Sequence, residues 1–360
     1  MKKNQLILGA IVLALLVGLG LYGQHRHPFD FHAFAEHFKS ANWSLIGIGV
    51  GCIYLGYVIR AIRWALLIRP NKKVPLFSLL GTQVIGFTGV ALIGRVADLT
   101  RPYLVAKKTG QTVASQMAVF VVERLFDAGS MALIFSSVIL FSPAGALPHP
   151  EIFRKSGYWL LAGALAGALF LAAIRLAGGA VASFFEKSLG VLSKKLATAV
   201  AEKIRSFRTG LNTLRSPMDF VLTLGLSLVM WVLITAAYLE TVRAFTAPQL
   251  AGMTLAQGMV LLASSGVASI IQLPVVGWFT QIGLVAGVLV QLFGVDPESA
   301  TACAATLLGA TFLSIVPVGL IWAQFEHVSL RKVAVESEHA GEAVEAARGD
   351  EPPLEEPSGA

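Results

Sequence analysis

Residues 94–127 read GRVADLTRPYLVAKKTGQTVASQMAVFVVERLFD and place charged side chains in sequence that is otherwise apolar enough to enter a membrane. Charged groups at membrane depth are costly, so they are usually paired and often mark a functional site. Glu123 and Asp127 are four residues apart, which puts both carboxylates on one face of a helix. Arg124 precedes Asp127 by three residues and can reach it or a neighbouring helix. The candidate site residues of this stretch are Arg95, Asp98, Arg101, Glu123, Arg124 and Asp127.

The composition of the chain indicates the class of protein around this stretch. Of its 360 residues, 55% are hydrophobic and 14% are charged, whereas a soluble domain carries about 25% charged residues. Repeated apolar runs are long enough to cross a bilayer. We therefore expect an all-α, polytopic membrane helix bundle with about eight transmembrane helices and one or two re-entrant elements.

The apolar runs predict where the spanning helices lie. Their approximate bounds are 5–23, 43–62, 116–141, 158–177, 220–239, 254–273, 275–293 and 300–323. By the positive-inside rule, their basic flanks predict cytoplasmic termini in a bacterial-type cytoplasmic (inner) membrane. The first run follows a basic start without a convincing cleavage site, so we interpret it as an uncleaved signal anchor. Residues 1–332 then form the membrane domain, and the acidic tail 333–360 is expected to be disordered.

Two further segments are candidates for re-entrant elements. Residues 74–94 contain Gly81, Gly86, Gly89 and Gly94 and have basic flanks on both sides, all of them predicted to be cytoplasmic. This pattern predicts an element that turns at its glycines and returns, with an ordinary span as the alternative. Residues 254–273 and 275–293, separated by Pro274, are either two spans or a second re-entrant pair.

The stretch also contains a helix start, and a later segment has a different character. Thr100 and Pro102 are typical of a helix N-terminus, with Thr100 as the N-cap and Pro102 in the first turn. Residues 183–215 combine apolar residues at steps of three and four with lysines and arginines. They predict a basic amphipathic helix along the cytoplasmic leaflet, interpreted as a connector in preference to a partner-recognition element.

The remaining polar residues give no sign of metal or cofactor chemistry. His25, His27, His32 and His37 are best interpreted as part of an interfacial loop, because no acidic or cysteine partner stands at ligand spacing. Cys52 and Cys303 lie in separate apolar runs and indicate no disulfide framework. The chain has no G-x-x-x-x-G-K-[ST] motif. We expect no metal, no cofactor and no nucleic acid, and the excess of basic residues favours contact with anionic lipid headgroups.

The charged stretch has two interpretations from chemistry alone. In the first, its arginines and acids neutralise one another in a buried ion-pair network that fastens residues 74–94 to the helix bearing Glu123. In the second, Arg95 and Arg101 bind a lipid phosphate, because guanidinium groups match phosphate in a bidentate geometry. The helix N-terminus near Pro102 would favour the same anion.

The motifs resemble those of the lysylphosphatidylglycerol synthase transmembrane-region family, also called the flippase-like domain family. RAIRWALLIRP (60–70) is followed by GRVADLTRPYLVAKK (94–108) and VVERLFD (121–127). The family pattern is G-R-x-G-E-x-x-R-P-x-L-x-x-K and then E-R-x-x-D. It is matched here by Arg95, Arg101, Pro102, Lys107, Glu123, Arg124 and Asp127, while Asp98 replaces the usual Glu and Ala97 the usual Gly.

A second family element departs further from its pattern. The family carries Pro-Gly-Gly-x-Gly-x-x-Glu late in the chain, and Pro274-Val-Val-Gly277-Trp-Phe-Thr-Gln281 stands in its place. Fewer glycines and Gln281 in place of the acid weaken any role transferred to Pro274, Gly277 and Gln281.

The resemblance implies a function connected with membrane lipids. Some members are fused to a soluble domain that attaches an amino acid to a phospholipid, and their membrane part is associated with flipping the product. Without that domain, the expected function here is a flippase-like translocase binding a phospholipid or a polyprenyl or glycolipid headgroup. Activity as an enzyme is not expected. The alternatives are an accessory or scaffold subunit for a lipid-synthesis enzyme and an intramembrane lipid-modifying transferase.

Overall fold

In the part of the chain that it describes, a computed structural model consists of helices joined by turns and short connections. It describes residues 29–68, 74–143, 145–190, 193–194, 197–201, 216–269, 276–329 and 335, without the side chains of residues 95 and 96. The α-helices are α1 Phe31–Ser40, α2 Trp43–Ile68, α3 Leu76–Ile93, α4 Thr100–Thr109, α5 Val113–Leu140, α6 Pro150–Gly190, α7 Pro217–Arg243, α8 Pro248–Ala251, α9 Leu255–Ala268, α10 Val276–Phe293, α11 Pro297–Leu308 and α12 Ile315–Phe325.

The bundle is that of a polytopic membrane protein. In the described ranges, six helical segments are long and apolar enough to cross a membrane: α2, α3, α6, α7, α10 and the run from Pro297 to Phe325. Helix α5 has 28 residues and is also long enough, although it carries Glu123, Arg124 and Asp127. The expected helical bundle is therefore confirmed. The predicted anchor at 5–23 and nearly all of the tail 333–360 lie outside the described residues.

Helices α2 and α7 form an antiparallel pair at the centre of the bundle. The backbone N–H of Asn42 donates to the carbonyl of Ala244 at one end of the pair, across 2.8 Å. Gly49 lies directly against Ala237 and Thr241, so a side chain at this position would push the helices apart. This end of the bundle is called the Asn42 end below.

Helices α3 and α4 form a hairpin whose two ends lie together. Gly94 adopts φ 91°, which a residue without a Cβ tolerates, and a 3₁₀ turn over Arg95–Leu99 leads into α4. The chain then runs back along α3, with Ala97 against Gly89 and Arg101 against Gly86. Finally the Lys108 ammonium donates to the carbonyl of Ser78 across 3.3 Å. The end of the bundle where Lys108 meets Ser78 is called the Lys108 end below. The chain enters the hairpin at this end and returns to it.

This hairpin corrects the prediction for residues 74–94. The helix Leu76–Ile93 is uninterrupted, so its internal glycines make no turn and allow close packing instead. Residues 95–109, which belong to the charged stretch 94–127, form the return leg. The prediction that the chain turns back at one of these glycines agrees with the turn at Gly94, but the predicted extent of the element was wrong, because its return leg lies beyond residue 94.

A second hairpin, α9 and α10, extends from the Asn42 end. The Gln281 amide donates to the Ser265 hydroxyl across 3.0 Å, joining the two legs, and the Gln249 amide lies 3.4 Å from the carbonyl of Gly294 at their base. Residues 270–275 between the legs, with Pro274, lie outside the described residues. The indole of Trp278 donates to the carbonyl of Ala91 across 3.2 Å. The second hairpin thus meets the tip of the first inside the bundle.

Other helices frame the two hairpins. The run from Pro297 to Phe325 contains a π-helical turn over Gly309–Leu313, and beyond it Gly319 receives the Thr88 side chain of α3. Helix α6 lies at the edge of the bundle. Of the residues in its apolar 18-residue stretch, 6% are buried, against 61% for α3. At Ala177 its backbone is non-helical (φ −134°, ψ 36°), so α6 consists of two helical parts that meet at this kink, and the predicted span 158–177 ends there. The amphipathic helix predicted over 183–215 stays a prediction. Residues 202–215 lie outside the described residues.

Candidate functional site

The centre of the candidate site is the carboxylate of Glu123, buried on α5. Its Oε1 accepts from Nη2 of Arg63 on α2 across 2.7 Å. Its Oε2 accepts from Nη1 of Arg101 on α4 across 3.1 Å. Each of the three side chains is at most 1% exposed. One carboxylate therefore joins the central helix pair to the return leg of the first hairpin.

Asp127 binds the same arginine one helical turn further along α5. Its Oδ1 accepts from Nη1 of Arg63 across 2.5 Å, and Arg60 reaches its Oδ2 across 3.5 Å. Arg63 Nη1 also lies 2.6 Å from the hydroxyl of Ser227 on α7. The prediction that Glu123 and Asp127 share one face of a helix is confirmed, because both carboxylates bind one guanidinium.

Arg60 and Arg63 are the site residues that the sequence reasoning missed. The span predicted over 43–62 makes them part of its basic cytoplasmic flank, but α2 continues to Ile68 and contains both of them. The Arg63 side chain is 1% exposed and the Arg60 side chain 12%. Their spacing of three residues, which places both on one helix face, is the signal that could have revealed them.

Arg101 lies between aromatic rings on the first hairpin and its neighbours. Its guanidinium carbon is 4.4 Å from the centroid of Phe87, 5.1 Å from that of Phe120 and 5.6 Å from that of Trp64. Such contacts stabilise a cation where little water reaches it. The stem of Arg101 fills the space beside Gly86, where any Cβ would collide with it.

Arg124 and Asp98 lie at the more open edge of the cluster. Arg124 is within 4.0 Å of Glu123 and lies over the ring of Phe120, and both of these residues are on α5 itself. Asp98 is 3.6 Å from Arg101. The side chains of Arg124 and Asp98 are 40% and 31% exposed. The sixth residue of the predicted set, Arg95, has its side chain outside the described part.

The helix start predicted at Thr100 differs in one residue. Helix α4 begins at Thr100 itself, which has helical dihedral angles, and Leu99 occupies the N-cap position without a side-chain cap. Thr100 is therefore not the N-cap, because the 3₁₀ turn already delivers helical backbone to it. Pro102 lies in the first turn, as predicted.

The described residues of the second family element, Gly277 and Gln281, lie outside the charged cluster. Gly277 is buried on α10, and Gln281 binds Ser265 of α9 rather than a charged group. Pro274 lies outside the described residues. The contact between this element and the first hairpin is made by Trp278.

Several N–H groups of the cluster are buried and have no hydrogen-bond partner within the described part. They are Nε and Nη2 of Arg101, Nε of Arg63, Nε and Nη2 of Arg124 and Nε2 of Gln83. Buried donors are normally satisfied, so this group of donors is chemically suited to an acceptor from outside the chain. The described residues contain no group of three or more His, Cys, Asp or Glu side chains that could hold a metal ion, and Cys52 and Cys303 are free.

Comparison with known proteins connects this arrangement to a family. No curated protein and no solved structure matches the chain. The family model described as "Lysylphosphatidylglycerol synthase TM region" matches residues 6–319. This range contains both hairpins and every residue of the charged cluster. The chain belongs to the lysylphosphatidylglycerol synthase transmembrane-region family.

Proposed function

We propose that the protein is a lipid translocase of the cytoplasmic membrane, with the charged cluster as its headgroup site. Family membership supports a membrane-lipid-related role. The observation that carries the finer proposal is the burial of Glu123, Arg63 and Arg101 inside the helical bundle. Charges held at this depth are expensive and are typical of a substrate pathway.

The position of the cluster supports movement of a headgroup through the bundle. Arg101 belongs to a hairpin that enters from the Lys108 end, and Trp278 connects the tip of this hairpin to the one from the Asn42 end. Paired elements that enter from opposite sides and meet inside the bundle are suited to alternating access. A headgroup bound at Arg101 would be released toward either end when the two hairpins shift against each other.

The pairing within the cluster favours a site that exchanges partners. Glu123 is shared between Arg63 and Arg101, which come from different helices. An entering headgroup can replace one of these contacts while the other keeps the carboxylate neutralised. This limits the cost of desolvating a charge during the exchange.

Reconstitution of the purified chain in liposomes tests the proposal. A fluorescent phospholipid in both leaflets is reduced from outside with dithionite, and a translocase exposes the inner-leaflet label as well. We expect the chain to expose it and Arg101→Gln to slow this exposure. Arg154→Gln, on the exposed face of α6, is the matched control for loss of a charge.

Two outcomes would contradict the proposal. One is that the folded chain leaves the inner-leaflet label protected. The other is that Arg101→Gln and Glu123→Gln both fold and translocate at the rate of the unmodified chain. Formation of a new lipid product by the purified chain alone would instead identify the transferase.

A further inference from the structure

We infer, building on the proposed translocase role, that the charged cluster recognises a phosphate group of its lipid, with Arg101 and Gln83 as donors. The ligand class is then a phosphate-bearing lipid with an anionic headgroup. A cationic headgroup fits the same side chains poorly. Four observations within the cluster support this choice.

The first observation is the balance of buried charge. Arg60, Arg63 and Arg101, with side chains 12%, 1% and 0% exposed, face Glu123 and Asp127, with side chains 1% and 7% exposed. The buried part of the cluster therefore carries one positive charge more than it carries negative charges. Among the side chains that the structure describes, Arg124 and Asp98 at the open edge add one charge of each sign and leave this excess unchanged. An uncompensated buried charge is strongly unfavourable, so a bound anion would stabilise the cluster.

The second observation is that one edge of the Arg101 guanidinium has no hydrogen-bond partner within the described part. Its Nη1 is used by Glu123 and Gln83, each 3.1 Å away. Its Nε and Nη2 are buried and have no hydrogen-bond partner within the described part. Asp98, at 3.6 Å from Nη2, is beyond hydrogen-bond length. Nε and Nη2 form one edge of the guanidinium, and this edge can donate two parallel hydrogen bonds to a phosphate.

The third observation is the orientation of the Gln83 amide. Gln83 is fully buried on α3, and its Oε1 accepts from Arg101 Nη1. An arginine can only donate, so this contact assigns the oxygen to the Arg101 side and leaves Nε2 as a donor. Nε2 is also buried and has no partner within the described part. A neutral amide donor beside an arginine suits a phosphate oxygen and offers nothing to an ammonium group.

The fourth observation is that the aromatic site for a cation is already filled. Phe87, Phe120 and Trp64 surround the guanidinium of Arg101, within 5.6 Å of its central carbon. Aromatic rings grouped in this way bind ammonium groups in many proteins. Here the protein's own arginine occupies the position, and a cationic headgroup would have to displace it. The cluster therefore discriminates against cationic lipids while it accepts phosphates.

Lipid binding to the purified full chain in detergent tests the inference directly. The thermal unfolding midpoint is titrated with phosphatidic acid, with diacylglycerol of the same chains, with a trimethylammonium lipid of the same chains and with inorganic phosphate. We expect phosphatidic acid to bind at least about tenfold more tightly than either other lipid, since hydrogen bonds to a charged group are worth this much. Inorganic phosphate is expected to bind more weakly than phosphatidic acid.

Substitutions connect this binding to the named donors. Gln83→Met removes the Nε2 donor, and with it the Oε1 acceptor of Arg101, without changing charge or much volume, and we expect it to weaken phosphatidic acid binding by about tenfold. Arg101→Gln is expected to abolish the preference for phosphate over diacylglycerol. Arg154→Gln, on the exposed face of α6, should bind phosphatidic acid as the unmodified chain does. Gln83→Met is informative even if Arg101→Gln fails to fold.

The outcomes separate this inference from the proposed function. Equal binding of diacylglycerol or the cationic lipid overturns the phosphate assignment, even if the liposome assay shows translocation. Inorganic phosphate binding as tightly as phosphatidic acid would also overturn it, because the ligand would then be a soluble anion. Selective binding of phosphatidic acid without translocation would support the ligand assignment and remove the translocase role.

Discussion

Arg63 donates to Glu123 across 2.7 Å with one terminal nitrogen and to Asp127 across 2.5 Å with the other. Both acids lie on α5, one turn apart, and Arg63 lies on α2, so the guanidinium acts as a buried bridge between two long helices. Arg63 also contacts Ser227 on α7, so three helices meet at this guanidinium. The bundle is therefore held at the site by charge as well as by apolar packing.

Removal of Arg63 is expected to destabilise the chain severely. Arg63→Met leaves Asp127 with only the 3.5 Å contact to Arg60, and breaking a buried pair costs about 3–5 kcal/mol. The thermal unfolding midpoint in detergent measures the loss, with Arg154→Met on the exposed face of α6 as the control. Adding Asp127→Asn to Arg63→Met should restore part of the stability. If Arg63→Met alone is as stable as Arg154→Met, the Arg63 bridge does not hold the two helices together.

Gly86 is expected to tolerate no side chain. A Cβ at this position would collide with the stem of Arg101, so Gly86→Ala must displace Arg101 or separate α3 from α4, at a cost of about 1–3 kcal/mol. Gly51→Ala on α2 is the matched control, because nothing lies near a Cβ there and a helical alanine is favourable. Unfolding midpoints and phosphatidic acid affinity should fall for the first variant alone. Unchanged affinity in Gly86→Ala would contradict the position assigned to Arg101.

If α3 and α4 form a hairpin, both of its ends should be accessible to a reagent from the same side of the membrane. In a background with Cys52→Ala and Cys303→Ala, a membrane-impermeant thiol reagent should label Pro75→Cys and Gln111→Cys from one side. Phe141→Cys, after the far end of α5, should be labelled from the other side. Labelling of the first two positions from opposite sides would exclude the hairpin and favour an ordinary span.

An ion pair fastens the base of the same hairpin to Glu326, the residue that follows α12. The Lys108 ammonium lies 2.6 Å from the Glu326 carboxylate, and the Trp322 indole donates to Glu326 across 3.1 Å. The side chains of the ion pair are 24% and 21% exposed, so Lys108→Glu should cost only about 1 kcal/mol. The exchanged pair Lys108→Glu with Glu326→Lys should recover most of the unfolding midpoint. Failure of the exchange to recover any stability would indicate that the ammonium acts mainly through the Ser78 carbonyl.

The start of α1 is expected to depend on pH. The Asp30 carboxylate accepts hydrogen bonds from the amides of Ala33 and His32, and these bonds hold its pKa below the ordinary aspartate value. Its stabilisation of α1 is therefore complete above the unfolded pKa of about 3.9 and is lost as pH falls through the lower folded pKa. Hydrogen exchange of amides 31–40 on acidification measures this loss. Asp30→Asn caps the helix without titrating, so its exchange should show no such transition.

Much of the fold could be predicted because its signals are local. Helices such as α7 and α10 follow from apolar runs of sufficient length, which any stable membrane span requires. The common helix face of Glu123 and Asp127 follows from helical spacing alone. The position of the turn at Gly94 could not be predicted in this way, because four glycines in 74–94 were equally able to form it and packing partners selected one.

The sequence by itself determined that charged groups would be buried in a helical membrane bundle and that Glu123, Asp127 and Arg101 would be among them. Only the tertiary structure decided that Arg60 and Arg63 belong to the same cluster, while other basic residues near the helix ends remain outside it. It also decided that Gln83 would turn its amide toward Arg101. The physical reason is that a charge in lipid is tolerated only beside a partner, and the partners lie on helices distant in the sequence.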